Sequence, residues 1–238
     1  VKILAIDTST WAGNVTLTEN ERLLAAIVVS TRISHVKDIF AAIEFLLAQT
    51  SLRFADLDAL AFAHGPGSFT GLRIGISIVK GLAYSLQKPV VGVDTLRALA
   101  LNLPFTPALI CPLLDARKGE VYTALYRHND QGELIRLAEA MVVTPAEIMA
   151  RIQQIGGPVI FIGDGNITYR DQLKAALPGQ CDFAPANLAD FTGYQIAQVA
   201  WRELLAGPAP ATLYQLQPQY IRRPEAEIKR LAAGLKIT

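Results

Sequence analysis

Cysteine and histidine are scarce in this chain: its 238 residues include only two cysteines, Cys111 and Cys181, and three histidines, His35, His64 and His128. Two thiols without a CxxC pair exclude a disulfide framework and a cysteine-rich zinc site, and they fit a reducing cytoplasm. An HxxxH pair would align two imidazoles on one helix face, but Ile39 stands four residues after His35, so no metal site is expected there. Excess charge is also lacking, with 22 Lys and Arg against 21 Asp and Glu. Without a basic run there is no electrostatic footprint for tight, independent nucleic-acid binding, and any RNA would be held mostly by a partner. The longest uncharged apolar stretch, 98–114, is interrupted by Pro104, Pro107 and Pro112, which would break a membrane helix. The opening Val1-Lys-Ile-Leu-Ala-Ile-Asp7 has too short an apolar part for an export signal and reads as a strand.

What is abundant is core material: 51% of the residues are hydrophobic, enough for one large domain or two lobes. Short apolar runs at 3–6, 14–18 and 23–30 predict an antiparallel meander, and a stripe of Val36, Ile39, Phe40, Ile43, Leu46 and Leu47 predicts a helix. A strand over 57–63, a helix over 70–86, a strand over 89–93 and a helix over 95–103 complete a first lobe in the order β-β-β-α-β-α-β-α. After Pro104 the order restarts, with strands at 108–115, 121–126 and 139–143. A helix to 155 follows, opened by the capping box Thr144-Pro-Ala-Glu147, and then a strand at 158–162. Residues 191–206 are amphipathic and predict a further helix. The expected domains are 1–104, 105–215 and a tail, 216–238, that packs back on the first lobe. The halves share element order rather than sequence.

The segment Gly65-Pro-Gly-Ser-Phe-Thr-Gly-Leu-Arg-Ile-Gly75 stands between a strand and a helix, where backbone amides can cradle phosphate. It lacks the lysine of a P-loop, and Thr70 stands where Rossmann spacing needs its third glycine. The other reading is a tight turn capped by Ser68 or Thr70, with glycines that allow close packing. The helix that follows is apolar nearly all round, and Phe45 of the preceding helix falls opposite its own apolar stripe. Such surplus surface predicts a helical partner interface, with cover by the second lobe as the alternative. The residues assigned to it are Arg32, His35, Ile39, Phe45, Phe69, Leu72, Gly75, Ile76, Val79 and Ala83.

Ile3-Leu-Ala-Ile-Asp-Thr-Ser9, His64 to Gly75, Leu114-Asp-Ala-Arg-Lys-Gly-Glu-Val-Tyr122, Gly163-Asp-Gly165 and Pro218-Gln-Tyr-Ile-Arg222 together resemble the TsaB (YeaZ) family from first strand to tail. The resemblance implies an α/β, actin/Hsp70-like (ASKHA) fold of two lobes, each a mixed sheet with helices. It implies a non-catalytic subunit that works with the catalytic paralogue TsaD and the ATPase TsaE to place threonylcarbamoyl on the adenosine 3′ to the anticodon of tRNA. Alone the chain would be a homodimer; tRNA would be met through the complex. Actin/Hsp70-like enzymes hold nucleotide phosphates between two turns, and Asp7, Thr8 and Ser9 with Asp115, Arg117 and Lys118 occupy the corresponding places. Both turns look incomplete: the first lacks a glycine two residues after Asp7, and the second carries Arg117 and Lys118. No cofactor of its own is expected; ATP or ADP would sit at the complex interface, where Arg117 and Lys118 are either phosphate contacts or solvated surface. The family often follows the position of His35 with Ser and soon Leu-Pro, whereas Val36, Lys37 and Asp38 follow here. The competing function is an independent nucleotide-dependent phosphotransferase, or a peptidase acting on TsaD. Ser68 does not stand in GxSxG, and no histidine has an identifiable catalytic partner.

Overall fold

The computed structural model describes residues 1–29, 36–190, 192–207 and 215–222. Strands β1 (Lys2–Asp7), β2 (Gly13–Glu19) and β3 (Arg22–Val29) form the antiparallel meander. Strands β4 (Ala59–Gly65) and β5 (Val90–Asp94) add parallel to β1 in the order β3-β2-β1-β4-β5. Parallel neighbours need crossovers, and α1 (Val36–Gln49) and α2 (Phe69–Leu86) supply them. Helix α2 starts one residue earlier than expected because the Ser68 hydroxyl caps it, accepting from the Gly71 amide at 3.3 Å.

After α3 (Thr95–Leu101) the pattern repeats: β6 (Leu109–Arg117), β7 (Glu120–His128), β8 (Leu134–Val143), α4 (Pro145–Ile155), β9 (Val159–Ile162), α5 (Gly165–Ala176) and β10 (Cys181–Phe183). The second sheet runs β10-β9-β6-β7-β8. Each sheet, numbered within its own half, therefore reads third, second, first, fourth, fifth, and the duplication lies in topology. The Thr144–Glu147 capping box forms at the head of α4. Strand β8 begins at Leu134, ahead of the expected 139, and neither α5 nor β10 is anticipated by the sequence pattern.

Period-two alternation in β1 sends Leu4 and Ile6 to one face and Ile3 and Ala5 to the other. The first face packs on Ile39 and Ile43 of α1 and on Ile76, Val79 and Ala83 of α2. The second face is lined by Ala5, Ala59, Ala61 and Ala63, small residues that admit a helix closely. That helix is α7 (Gly193–Ala206), through Ile196, Ala197 and Ala200, which follows the short α6 (Ala186–Asp190). The chain thus returns to the first sheet after completing the second, and assigning 105–215 wholly to a second lobe misplaces α7. Helix α3 lies between the sheets: Ala98 faces the first, while Leu96, Leu99 and Ala100 pack with Ile110, Leu114 and Tyr126 of the second. An ion pair of 2.8 Å from Arg136 on β8 to Asp94 on β5 also joins them. Among the described residues no helix is long and apolar enough to cross a membrane.

Candidate functional site: two filled turns and an exposed helical face

Asp7 ends β1 with its side chain fully buried. Its Oδ1 accepts from the Ser9 amide at 2.7 Å and from the Ser9 hydroxyl at 2.6 Å, and its Oδ2 accepts from the Thr192 hydroxyl. Burial pushes the Asp7 carboxyl above the ordinary aspartate range, and these donors oppose the shift. Thr95 extends the network, donating to the Ser9 hydroxyl at 3.2 Å.

The head of α2 closes on the same turn. Ser68 N–H donates to the Ser9 carbonyl at 2.7 Å, and the Thr8 hydroxyl donates to the Gly71 carbonyl at 2.7 Å. A Cβ at Gly67 would overlap the Ser9 carbonyl, one at Gly71 would overlap the Thr8 carbonyl, and one at Gly75 would lie 2.7 Å from Thr8 Oγ1. The glycines therefore serve close contact between the helix and the chain's own 7–10 turn. A phosphate would need the amides of that turn and a carboxylate facing a metal ion in water. The Ser9 amide is engaged by Asp7, and Asp7 faces protein on all sides. As built, these residues do not fit a nucleotide phosphate.

The second turn joins β6 to β7. Arg117, Lys118 and Gly119 are all left-handed, at φ 63°, 57° and 77°, although only one is glycine. Asp115 steadies them: its Oδ1 accepts from the Arg117 amide at 2.8 Å, and its Oδ2 lies 3.2 Å from the Arg117 guanidinium. Asp115 N–H donates to Asp164 Oδ1 at 2.9 Å, which brings the Gly163-Asp-Gly165 segment against the turn. A Cβ at Gly163 would overlap the Leu113 carbonyl, so this glycine too serves close packing. Burial raises the Asp164 carboxyl above its ordinary range. Arg222 closes the group, donating to the Ala116 carbonyl at 2.8 Å and pairing with Glu120.

The helical face differs from the sequence expectation in its phase. Ile39, Ile76, Val79 and Ala83 lie in the first lobe's core, Leu72 is buried, and Gly75 faces Thr8. Their side chains offer no surface to a partner, because α1 and α2 turn these stripes to the sheet and to each other. Phe45 is 56% exposed and Phe69 38% exposed, and Tyr84, which was not singled out, is 72% exposed. On α2 the outward positions include Phe69, Arg73, Ser77, Gly81 and Tyr84; on α1 they include Ala41, Phe45 and Ala48. Arg32 and His35 lie outside the described residues.

Ser68 caps α2. Cys111 is buried beside Thr123, with its thiol pushed up to about 12 by burial. Burial lowers His64, against the opposing charge of Asp94. Among the described residues no three His, Cys, Asp or Glu side chains gather as ligands would. Thr192 and Arg222 complete the two turns, and neither carries a local sequence signal for that role.

Two sheets of like topology, joined through α3 and each carrying a carboxylate-led turn at the end of its first strand, define an actin/Hsp70-like protein of two lobes. The family model for TsaD, tRNA N6-adenosine threonylcarbamoyltransferase, matches residues 26–230. The tRNA threonylcarbamoyladenosine biosynthesis protein TsaB of Bacillus subtilis (strain 168) is 31% identical over 95% of this chain and 96% of its own length. The TsaB protein of Escherichia coli (strain K12) is 35% identical over 69% of this chain and 72% of its own. The chain belongs to the TsaB family, and so to the pathway of tRNA threonylcarbamoyladenosine biosynthesis. Among solved structures, YeaZ from Pseudomonas aeruginosa superposes with a TM-score of 0.76 at 27% identity, covering 92% of this chain and 99% of that one. Another structure, described as an uncharacterized protein with similarity to peptidase YEAZ from Pseudomonas aeruginosa, gives 0.77 at 27% identity, over 93% and 99%.

Proposed function

We propose that the chain is a non-catalytic docking subunit that binds TsaD, in an assembly with TsaE, for threonylcarbamoylation of the adenosine 3′ to the anticodon in tRNA. One contrast carries the reading: the carboxylate of each turn is occupied by the chain's own donors, while the outward face of α1 and α2 leaves Phe45 and Tyr84 in water. Large aromatic side chains flanked by small ones suit a helix-on-helix contact, since Ala41, Ala48, Ser77 and Gly81 allow close approach and the aromatics supply buried area. Phe45, Phe69 and Tyr84 are the contacts assigned to TsaD, with Arg73 at the rim; a second copy of the chain would use the same face when TsaD is absent. Any ATP or ADP, and the tRNA, would then be met within the assembly.

The test is co-purification with TsaD together with nucleoside analysis of bulk tRNA. Tyr84→Glu combined with Phe45→Glu is expected to abolish co-purification and lower threonylcarbamoyladenosine while leaving the fold intact. Undiminished association and modification would overturn this placement of the interface. Hydrolysis of ATP or of TsaD by the purified chain, lost in Asp7→Ala or Ser68→Ala, would favour the phosphotransferase or peptidase reading instead.

A further inference from the structure

Residues 215–222 run from one lobe to the other. Leu216 is buried in the first lobe's core. Gln219 N–H donates to the His64 carbonyl at 2.7 Å, and a side chain on Gly65 would come within 2.7 Å of the Gln219 carbonyl, so the glycine makes room for the segment. The Tyr220 ring lies 5.1 Å from that of Phe69. The Arg73 guanidinium sits 4.2 Å over Phe69, and its Nε donates to the Tyr220 hydroxyl at 3.4 Å. Two residues further, Arg222 donates to the Ala116 carbonyl and pairs with Glu120 on either side of the second-lobe turn.

We propose that this segment is an interlobe clasp that couples the N-terminal end of α2 to the turn at 117–120. Two consecutive peptide units span at most about 7 Å, so a shift of Tyr220 with Phe69 is passed directly to Arg222. The receiving turn holds three left-handed residues in succession, two of them non-glycine, and depends on outside support. Arg222 gives that support with a rigid fork, one arm on a carbonyl and one on a carboxylate. Its side chain is only 19% exposed, so solvent screens the contact less than at an open surface pair. The coupling stands on these contacts alone and does not rest on the proposed docking role.

Hydrogen–deuterium exchange on the full chain tests it, read at peptides covering the 115–121 turn. Arg222→Ala is expected to speed exchange there roughly ten-fold, the loss of a charge-assisted hydrogen bond. Phe69→Ala, on the other lobe, is expected to speed exchange at the same turn about three-fold or more, and to add nothing in an Arg222→Ala background. Arg73→Ala, which alters an exposed side chain and leaves the packing of α2 untouched, should act in the same direction as Phe69→Ala. A turn unaffected by both first-lobe substitutions, or affected equally with and without Arg222, would overturn the clasp.

Discussion

Replacing Asp7 by alanine and by asparagine separates a carboxylate that holds the fold from one that holds a metal. Asp7→Ala strands three buried donors, the Ser9 amide, the Ser9 hydroxyl and the Thr192 hydroxyl, where water cannot replace the lost acceptor. Each stranded donor costs about 1–3 kcal/mol, and hydroxyl rotation recovers part, so a net loss of about 3–5 kcal/mol is expected. Asp7→Asn keeps Oδ1 for Ser9, and the Thr192 hydroxyl can turn to accept from the new amide, so its stability at neutral pH should equal or exceed that of the native chain. The pH dependence follows from the raised folded-state value of Asp7. The native state keeps this proton to a higher pH than the unfolded chain, so the native chain loses stability relative to Asp7→Asn as pH rises from about 4 through the raised value. Above that value the difference levels off. Urea unfolding of the three proteins across this range measures both effects. Equal damage from Asn and Ala at neutral pH, or a difference independent of pH, would refute the structural role.

The glycines of α2 make a second test. Gly71→Ala drives a methyl into the Thr8 carbonyl and should cost about 1–3 kcal/mol, whereas Gly81→Ala meets open space and should gain about 0.5–1 kcal/mol, both read from thermal unfolding. Ile76→Glu buries a charge in the first lobe's core and should prevent stable folding, while Tyr84→Glu at the surface should leave the unfolding midpoint nearly unchanged; circular dichroism distinguishes them. Cys111, buried and with its thiol pushed up to about 12, should resist alkylation by iodoacetamide in the native chain and react once it is unfolded in urea, as mass spectrometry would show.

Most of both sheets was legible because their strands are short apolar runs and their helices carry three- and four-residue stripes. Strand β8 was read short because its polarity is inverted: Arg136 points inward to Asp94 and Tyr126, while Ile135 and Leu137 face water. Helix α5 was missed because it is largely polar, with Leu173 its one large fully buried aliphatic side chain. The close-contact role of the Gly65–Gly75 glycines could be read, but not their partners, the turn at Thr8 and Ser9 for Gly67, Gly71 and Gly75 and the Gln219 carbonyl for Gly65. The phase of the helical face was illegible for a related reason: a helix apolar nearly all round does not declare which stripe is outermost. Its outward side carries Ser77 and Gly81 between the large residues. The bond from Thr192 to Asp7 spans 185 residues and leaves no periodic trace.

The two halves also close their turns in a similar way. In each half a carboxylate at or near the end of the first strand accepts from the amide two residues later: Asp7 from Ser9 at 2.7 Å and Asp115 from Arg117 at 2.8 Å. A side-chain acceptor thereby takes a donor that a bound anion would need. Elements from late in the chain then complete each turn, Thr192 at the first and Arg222 at the second. The two differ in wetness, because Asp7 is fully buried whereas the Asp115 side chain keeps 19% of its surface and Arg117 keeps 73%. The first turn is thus sealed by α2 against Thr8 and Ser9, whereas the second keeps the Arg117 side chain in solvent.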